Sequence, residues 1–120
     1  TENEDIMKKV IEYCKENKLI FIDSKTTNKS VAKKIADELG VICVERDVFL
    51  DGTKDVSEIE KNLLQAAKIA KKRGFAIAIG HVGEEGGVPT AQAIKNVKAS
   101  FDKDNIELVT ISEYVKLLNH

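Results

Sequence analysis

The chain has 120 residues, of which 32% are charged, and a formal net charge of −1. That near balance argues against nucleic acid as the main partner, which needs a basic surface excess. No run approaches the roughly 20 consecutive apolar residues of a membrane-spanning helix.

The pattern predicts a first helix over residues 4–16, where Ile6, Met7, Val10, Ile11 and Cys14 recur at helical spacing. A strand comes next at 19–22, continuous in apolar residues as expected of a strand covered on both faces. The loop 23–28 is rich in Ser, Thr and Asn, which cap helices. A second helix is predicted over 29–39, with Val31, Ile35 and Leu39 inward and Gly40 as a left-handed stop. A second strand is expected at 41–44, then an irregular polar stretch over 45–54 with an Asp51-Gly52 turn. The longest helix spans 56–73, opened by capping-box candidates at Asp55 and Ser57 and ended by Gly74. Its Lys68 to Arg73 run is read as a solvated face. A third strand is predicted at 75–79, a glycine-rich loop at 80–87, and a fourth helix from Pro89 carrying Ala93, Ile94, Val97 and Phe101. A fourth strand at 106–109 and a last helix at 112–118 complete the chain.

The order is alternating β/α, which implies an α/β fold with a parallel sheet and right-handed crossovers. Residues 1–120 read as a single α/β domain or a fragment of a larger one, with no linker, repeat or low-complexity tract. Four strands fit an open sheet or about half of a (β/α) barrel. A half barrel exposes sheet edges, which invites pairing with another copy, so a homo-oligomer is expected.

In such a sheet, sites gather at the carboxyl ends of the strands. Asp23, Asp47 and His81 stand at or near such ends. His81 suits general acid–base chemistry, or simply bonds backbone at the strand end. Asp23 and Asp47 suit orienting a histidine, holding a metal or binding a sugar hydroxyl, or capping the next helix or turn. Arg46 and Asp47 are adjacent, so a regular strand points them to opposite faces. Lys25, in Ser24-Lys25-Thr26-Thr27, is a further candidate anion contact. Gly83-Glu-Glu-Gly-Gly87 precedes a helix as phosphate loops do, but its glutamates repel phosphate and there is no P-loop lysine after it. The histidines are His81 and the terminal His120, with no H-x-x-x-H motif, and there is no G-x-S-x-G elbow. Cys14 and Cys43 read as buried free thiols. A receiver-like phosphoacceptor domain is disfavoured, because His81 stands where such domains keep a lysine.

Phe21-Ile-Asp-Ser-Lys-Thr-Thr27, Ser30-Val-Ala32, Glu45-Arg-Asp-Val-Phe-Leu-Asp51, Ile79-Gly-His81 and Ile106-Glu-Leu-Val109 with Ile111-Ser112 form a specific combination. Together they resemble the carboxy-terminal half of the divergent polysaccharide deacetylase family, relatives of the NodB-type carbohydrate esterases. The resemblance implies about half of a deformed (β/α)7 barrel. It implies metal-dependent hydrolysis of N-acetyl groups on an envelope or extracellular polysaccharide, hence an extracytoplasmic location. It assigns His81 as the acid that protonates the leaving amine and Asp47 as its orienting carboxylate. Asp23, Ser24, Lys25, Arg46 and Asp51 are expected to line the substrate pocket. The divalent, zinc-like metal implied by the family lacks most of its ligands here, since neither the aspartate-bearing first strand nor the upstream histidine motif has a match. Relatives often carry a proline-containing segment after the late histidine, where this chain has Val82-Gly-Glu-Glu-Gly-Gly87. The alternative is a non-catalytic domain that binds a glycan or a protein partner in the envelope.

Overall fold

The computed structural model describes residues 1–118, so His120 lies outside the described residues. The elements in order are α1 (Glu4–Glu16), β1 (Phe21–Asp23), α2 (Ala32–Leu39), β2 (Cys43–Glu45), β3 (Val48–Phe49), α3 (Val56–Arg73), β4 (Ala78–Ile79), a 3-10 turn (Gly83–Glu85), α4 (Val88–Lys103) and α5 (Ile111–Leu118).

Local chemistry sets the helix ends. The Asn3 side chain accepts from the Ile6 N–H, and Asp55 accepts from the Ser57 N–H, each satisfying an orphan donor of a first turn. Gly40 (φ 72°) and Gly74 (φ 98°) end α2 and α3 in the left-handed conformation that glycine adopts without a Cβ penalty. Pro89 sits in the first turn of α4, where no backbone N–H is required.

The strands pair in parallel. β1 lies beside β2 with Phe21 opposite Cys43 and Asp23 opposite Glu45, and β3 lies beside β4 with Val48 opposite Ala78 and Phe49 opposite Ile79. Residues 43–50 therefore change partner midway. The Arg46 N–H donates to the Asp23 carbonyl (3.0 Å), after which Asp47 and Val48 both donate to the Ile77 carbonyl (2.8 and 3.2 Å). Two successive amides on one carbonyl act as a bulge does and shift the side-chain alternation by one residue.

Three apolar clusters hold these pieces. Met7, Ile11 and Cys14 of α1 pack on Ala32, Ile35 and Ala36 of α2. Ile59, Leu63 and Ala67 of α3 pack on Ala93, Val97 and Phe101 of α4, with Leu50 between. Val44 and Ile77 meet Val115 of α5.

Two expectations change. The stretch read as irregular contains β3. The strand expected at 106–109 is absent: the Ile106 N–H closes on Phe101 at the end of α4, and Leu108 and Val109 are exposed. Among the described residues no neighbouring strand is paired with it, and an apolar run becomes a strand only where a ladder forms. The remaining architecture is the mixed α/β fold of a partial β/α barrel. No helix among the described residues is long and apolar enough to cross a membrane.

Candidate active site

The register of β3 and β4 builds the site. Phe49 faces Ile79, so the residues two positions beyond each strand, Asp51 and His81, emerge side by side. Asp51 is buried, its side chain 1% exposed, whereas the His81 side chain is 42% exposed. Asp51 Oδ1 lies 2.6 Å from His81 Nδ1, and Oδ2 accepts from the His81 backbone N–H at 2.7 Å. The Thr90 hydroxyl, from the first turn of α4, donates to the same Oδ2 at 2.6 Å.

Burial alone would raise the Asp51 pKa. The His81 N–H, the Thr90 hydroxyl and the His81 imidazole outweigh it and hold the carboxyl below the ordinary range for aspartate. An ionised carboxylate only accepts, so Nδ1 of His81 carries the proton that bridges to Asp51. Gly80 and Gly86 make room for this cluster: a Cβ at either would stand 3.2 or 3.1 Å from Asp51 Oδ2.

A stacked layer adjoins the imidazole. The Arg46 guanidinium carbon lies 3.8 Å from the Phe49 ring centroid, and the Phe49 and His81 rings are stacked at 6.0 Å with 29° between planes. Arg46 and Phe49 share a side because of the bulge between them. Arg46 Nε donates to the Ser24 carbonyl and Nη2 to the Lys25 carbonyl (2.8 Å). Ser24 and Lys25 are thereby tied to His81 through Arg46 and Phe49.

The other residues singled out in the sequence are engaged elsewhere. Asp23 is buried and accepts from the Lys25 N–H (2.9 Å) and the Ser30 hydroxyl (2.6 Å), closing the loop into α2. The Lys25 ammonium pairs with Glu45 at 3.2 Å. Asp47 accepts from the Ile77 N–H (2.7 Å) and from Arg73 (2.6 Å) at the end of α3. The carboxylate on His81 is thus that of Asp51, and the expectation for Asp47 is corrected. Arg46 and Asp47 do diverge, as adjacent strand residues should.

Two residues of this cluster, Phe49 and Thr90, escaped the sequence reading. For Phe49 the available signal was the repeated pattern of an apolar pair, one spacer and a polar residue, Val48-Phe49-Leu50-Asp51 beside Ala78-Ile79-Gly80-His81; for Thr90 there was only the helix start after Pro89.

The donor set does not suit a metal. Both Asp51 oxygens accept hydrogen bonds, and among the described residues no group of three His, Cys, Asp or Glu side chains is placed to hold an ion. A cavity of about 650 Å³ lies elsewhere, against α3, α4 and α5, with Leu63, Phe101, Ile106 and Tyr114 in its wall. None of the cluster residues lines it.

Over 81 residues the chain is 40% identical to an uncharacterized protein of Haemophilus influenzae, covering 68% of this chain and 29% of that protein. Over 75 residues it is 35% identical to the uncharacterized protein YibQ of Escherichia coli, covering 62% of this chain and 24% of YibQ. The crystal structure of the uncharacterized protein ATU2773 from Agrobacterium tumefaciens C58 superposes with a TM-score of 0.85 at 22% identity, over 94% of this chain and 44% of that one. The chain therefore spans less than half the length of these proteins, and the last comparison speaks for the fold. The family model for divergent polysaccharide deacetylase matches residues 1–115, and the chain belongs to that family.

Proposed function

We propose that this chain supplies the acid–base dyad of a glycan N-deacetylase, with His81 as general acid and Asp51 as its orienting base partner. Hydrolysis of an N-acetyl group adds water to the amide carbonyl, and the C–N bond then breaks as the amine takes up a proton. His81 delivers that proton from Nε2, and Asp51 holds the tautomer and stabilises the imidazolium that precedes delivery. The observation that carries this reading is the 2.6 Å contact between a half-exposed imidazole and a buried carboxylate at a strand-end edge. In this reading Arg46, Ser24 and Lys25 form the adjoining wall against which the sugar would lie, the substrate would be a glycan of the envelope or extracellular space, and the protein would work outside the cytoplasm.

No step is assigned to a metal, because these residues do not form a site for one. A divalent ion bound by the full-length protein would take its ligands from outside this chain. The second reading is a domain that binds glycan without turnover. Acetate release from an N-acetylglucosamine oligosaccharide by the full-length protein separates the two. Turnover that falls at least about 100-fold in His81→Gln supports the dyad; glycan binding without acetate release from the unaltered protein overturns it.

We also propose self-association. Among the described residues β1 and β4 are each paired along one edge only, and Leu19, Ile22 and Ile42 are exposed in or next to β1 and β2. Light scattering should show a dimer or larger species, and a monomer at high concentration would contradict it.

A further inference from the structure

Asp51 has two oxygens and three donors. Two of the donors belong to His81 itself, so alone they would let carboxylate and imidazole swing together with the 80–87 loop. The third, the Thr90 hydroxyl, comes from a different element, the first turn of α4, and is buried. A threonine within a helix ordinarily has its hydroxyl turned to solvent or back to its own preceding turn. Here it reaches across 39 positions of sequence. The methyl Cγ2 stands 3.0 Å from where a Cβ on Gly80 would be, so the methyl occupies space that Gly80 leaves open while the hydroxyl is directed at Asp51.

We propose that Thr90 is a positioning residue for the dyad: its hydroxyl pins Asp51 Oδ2 to α4, so that Oδ1 presents a fixed acceptor to Nδ1 of His81. This rests on the reading of His81 as the acid only for its consequence in catalysis; the coupling itself is a property of this chain. Val at position 90 keeps the shape and removes the donor, Ser keeps the donor and removes the methyl, and Ala removes both.

The test tracks the Nδ1-bound proton and imidazole nitrogens of His81 by NMR in the 120-residue chain. In Thr90→Val the Nδ1–H resonance should move upfield and exchange with water about tenfold faster, as loss of a charge-assisted hydrogen bond allows. Thr90→Ser should restore most of the original signal. An unchanged signal in Thr90→Val overturns the proposal. So does Thr90→Ser behaving like Thr90→Val, since returning the hydroxyl would then not return the signal. If Thr90→Val does not fold, Thr90→Ala against Thr90→Ser isolates the hydroxyl, and equal spectra overturn the proposal. In the full-length protein Thr90→Val should lower kcat with KM unchanged. A shifted resonance beside an inactive unaltered protein would leave Thr90 as the positioning residue and overturn the deacetylase reading alone.

Discussion

His81 and Asp51 stand 30 residues apart in sequence, yet share two hydrogen bonds, one from the ring and one from the backbone. The parallel register of two very short strands is enough to bring them together. The arrangement gives a half-exposed imidazole a buried, ionised anchor.

Replacing Asp51 with Ala should leave the His81 N–H and the Thr90 hydroxyl without their acceptor. Unsatisfied buried donors cost about 1–3 kcal/mol each. Urea denaturation should show a loss on the order of 2–4 kcal/mol.

The sign of the pH dependence is set by the lowered Asp51 pKa. The unfolded chain binds its proton near pH 3.9 and the folded chain only below that. The stabilisation is therefore complete above the unfolded value and is lost as the pH falls through the folded one. Melting temperature against pH should show an acid limb that is flatter in Asp51→Asn.

Asp47 predicts the contrast. Its partners are the Ile77 N–H and Arg73, so Asp47→Ala should cost about 1–2 kcal/mol. The imidazole resonances of His81 should remain in place. A large shift in them would show that Asp47, and not Asp51 alone, governs the histidine.

The Arg46–Phe49–His81 stack depends on a flat cation. Arg46→Lys keeps charge but loses the planar fork that donates to the Ser24 and Lys25 carbonyls. A loss of about 1 kcal/mol in denaturation is expected, together with altered ring-current shifts at His81.

Burial, followed by the nearby carboxylates of Asp23 and Glu45, pushes the Cys43 thiol up to about 11. Its thiolate is scarce at pH 8, and the higher nucleophilicity of a basic thiolate offsets only part of that. Iodoacetamide should label Cys43 on the order of tenfold more slowly than a free thiol. Labelling as fast as free cysteine would contradict this setting beside the Asp23 and Glu45 carboxylates, in which Cys43 is half-buried and not fully buried as its apolar surroundings in the sequence suggest.

Much of the fold was legible because helices announce themselves locally. The 3.6-residue stripes of Ile59, Leu63 and Ala67, and the stops at Gly40 and Gly74, mark helices before any partner is known. Strands are defined by pairing, so the apolar run 106–109 misled where no neighbour is paired with it, and Val48-Phe49 was missed inside polar surroundings. The site was legible in His81, which ends an apolar strand. The family resemblance points to Asp47 as the partner, while Asp51, which precedes a glycine, reads as a turn or pocket-lining residue. The choice between them rests on the bulge at Asp47 and Val48 and on the β3–β4 register, both tertiary properties. Thr90 carries no signal beyond a helix start, since its function lies in a bond across the fold.

The most direct test compares Asp51→Asn with Asp47→Asn in full-length protein, by acetate release from an N-acetylglucosamine oligosaccharide. The account predicts a fall in turnover of at least about 100-fold for Asp51→Asn, as for loss of His81, and near-normal turnover for Asp47→Asn. Normal turnover in Asp51→Asn, with the loss falling on Asp47→Asn instead, would contradict it.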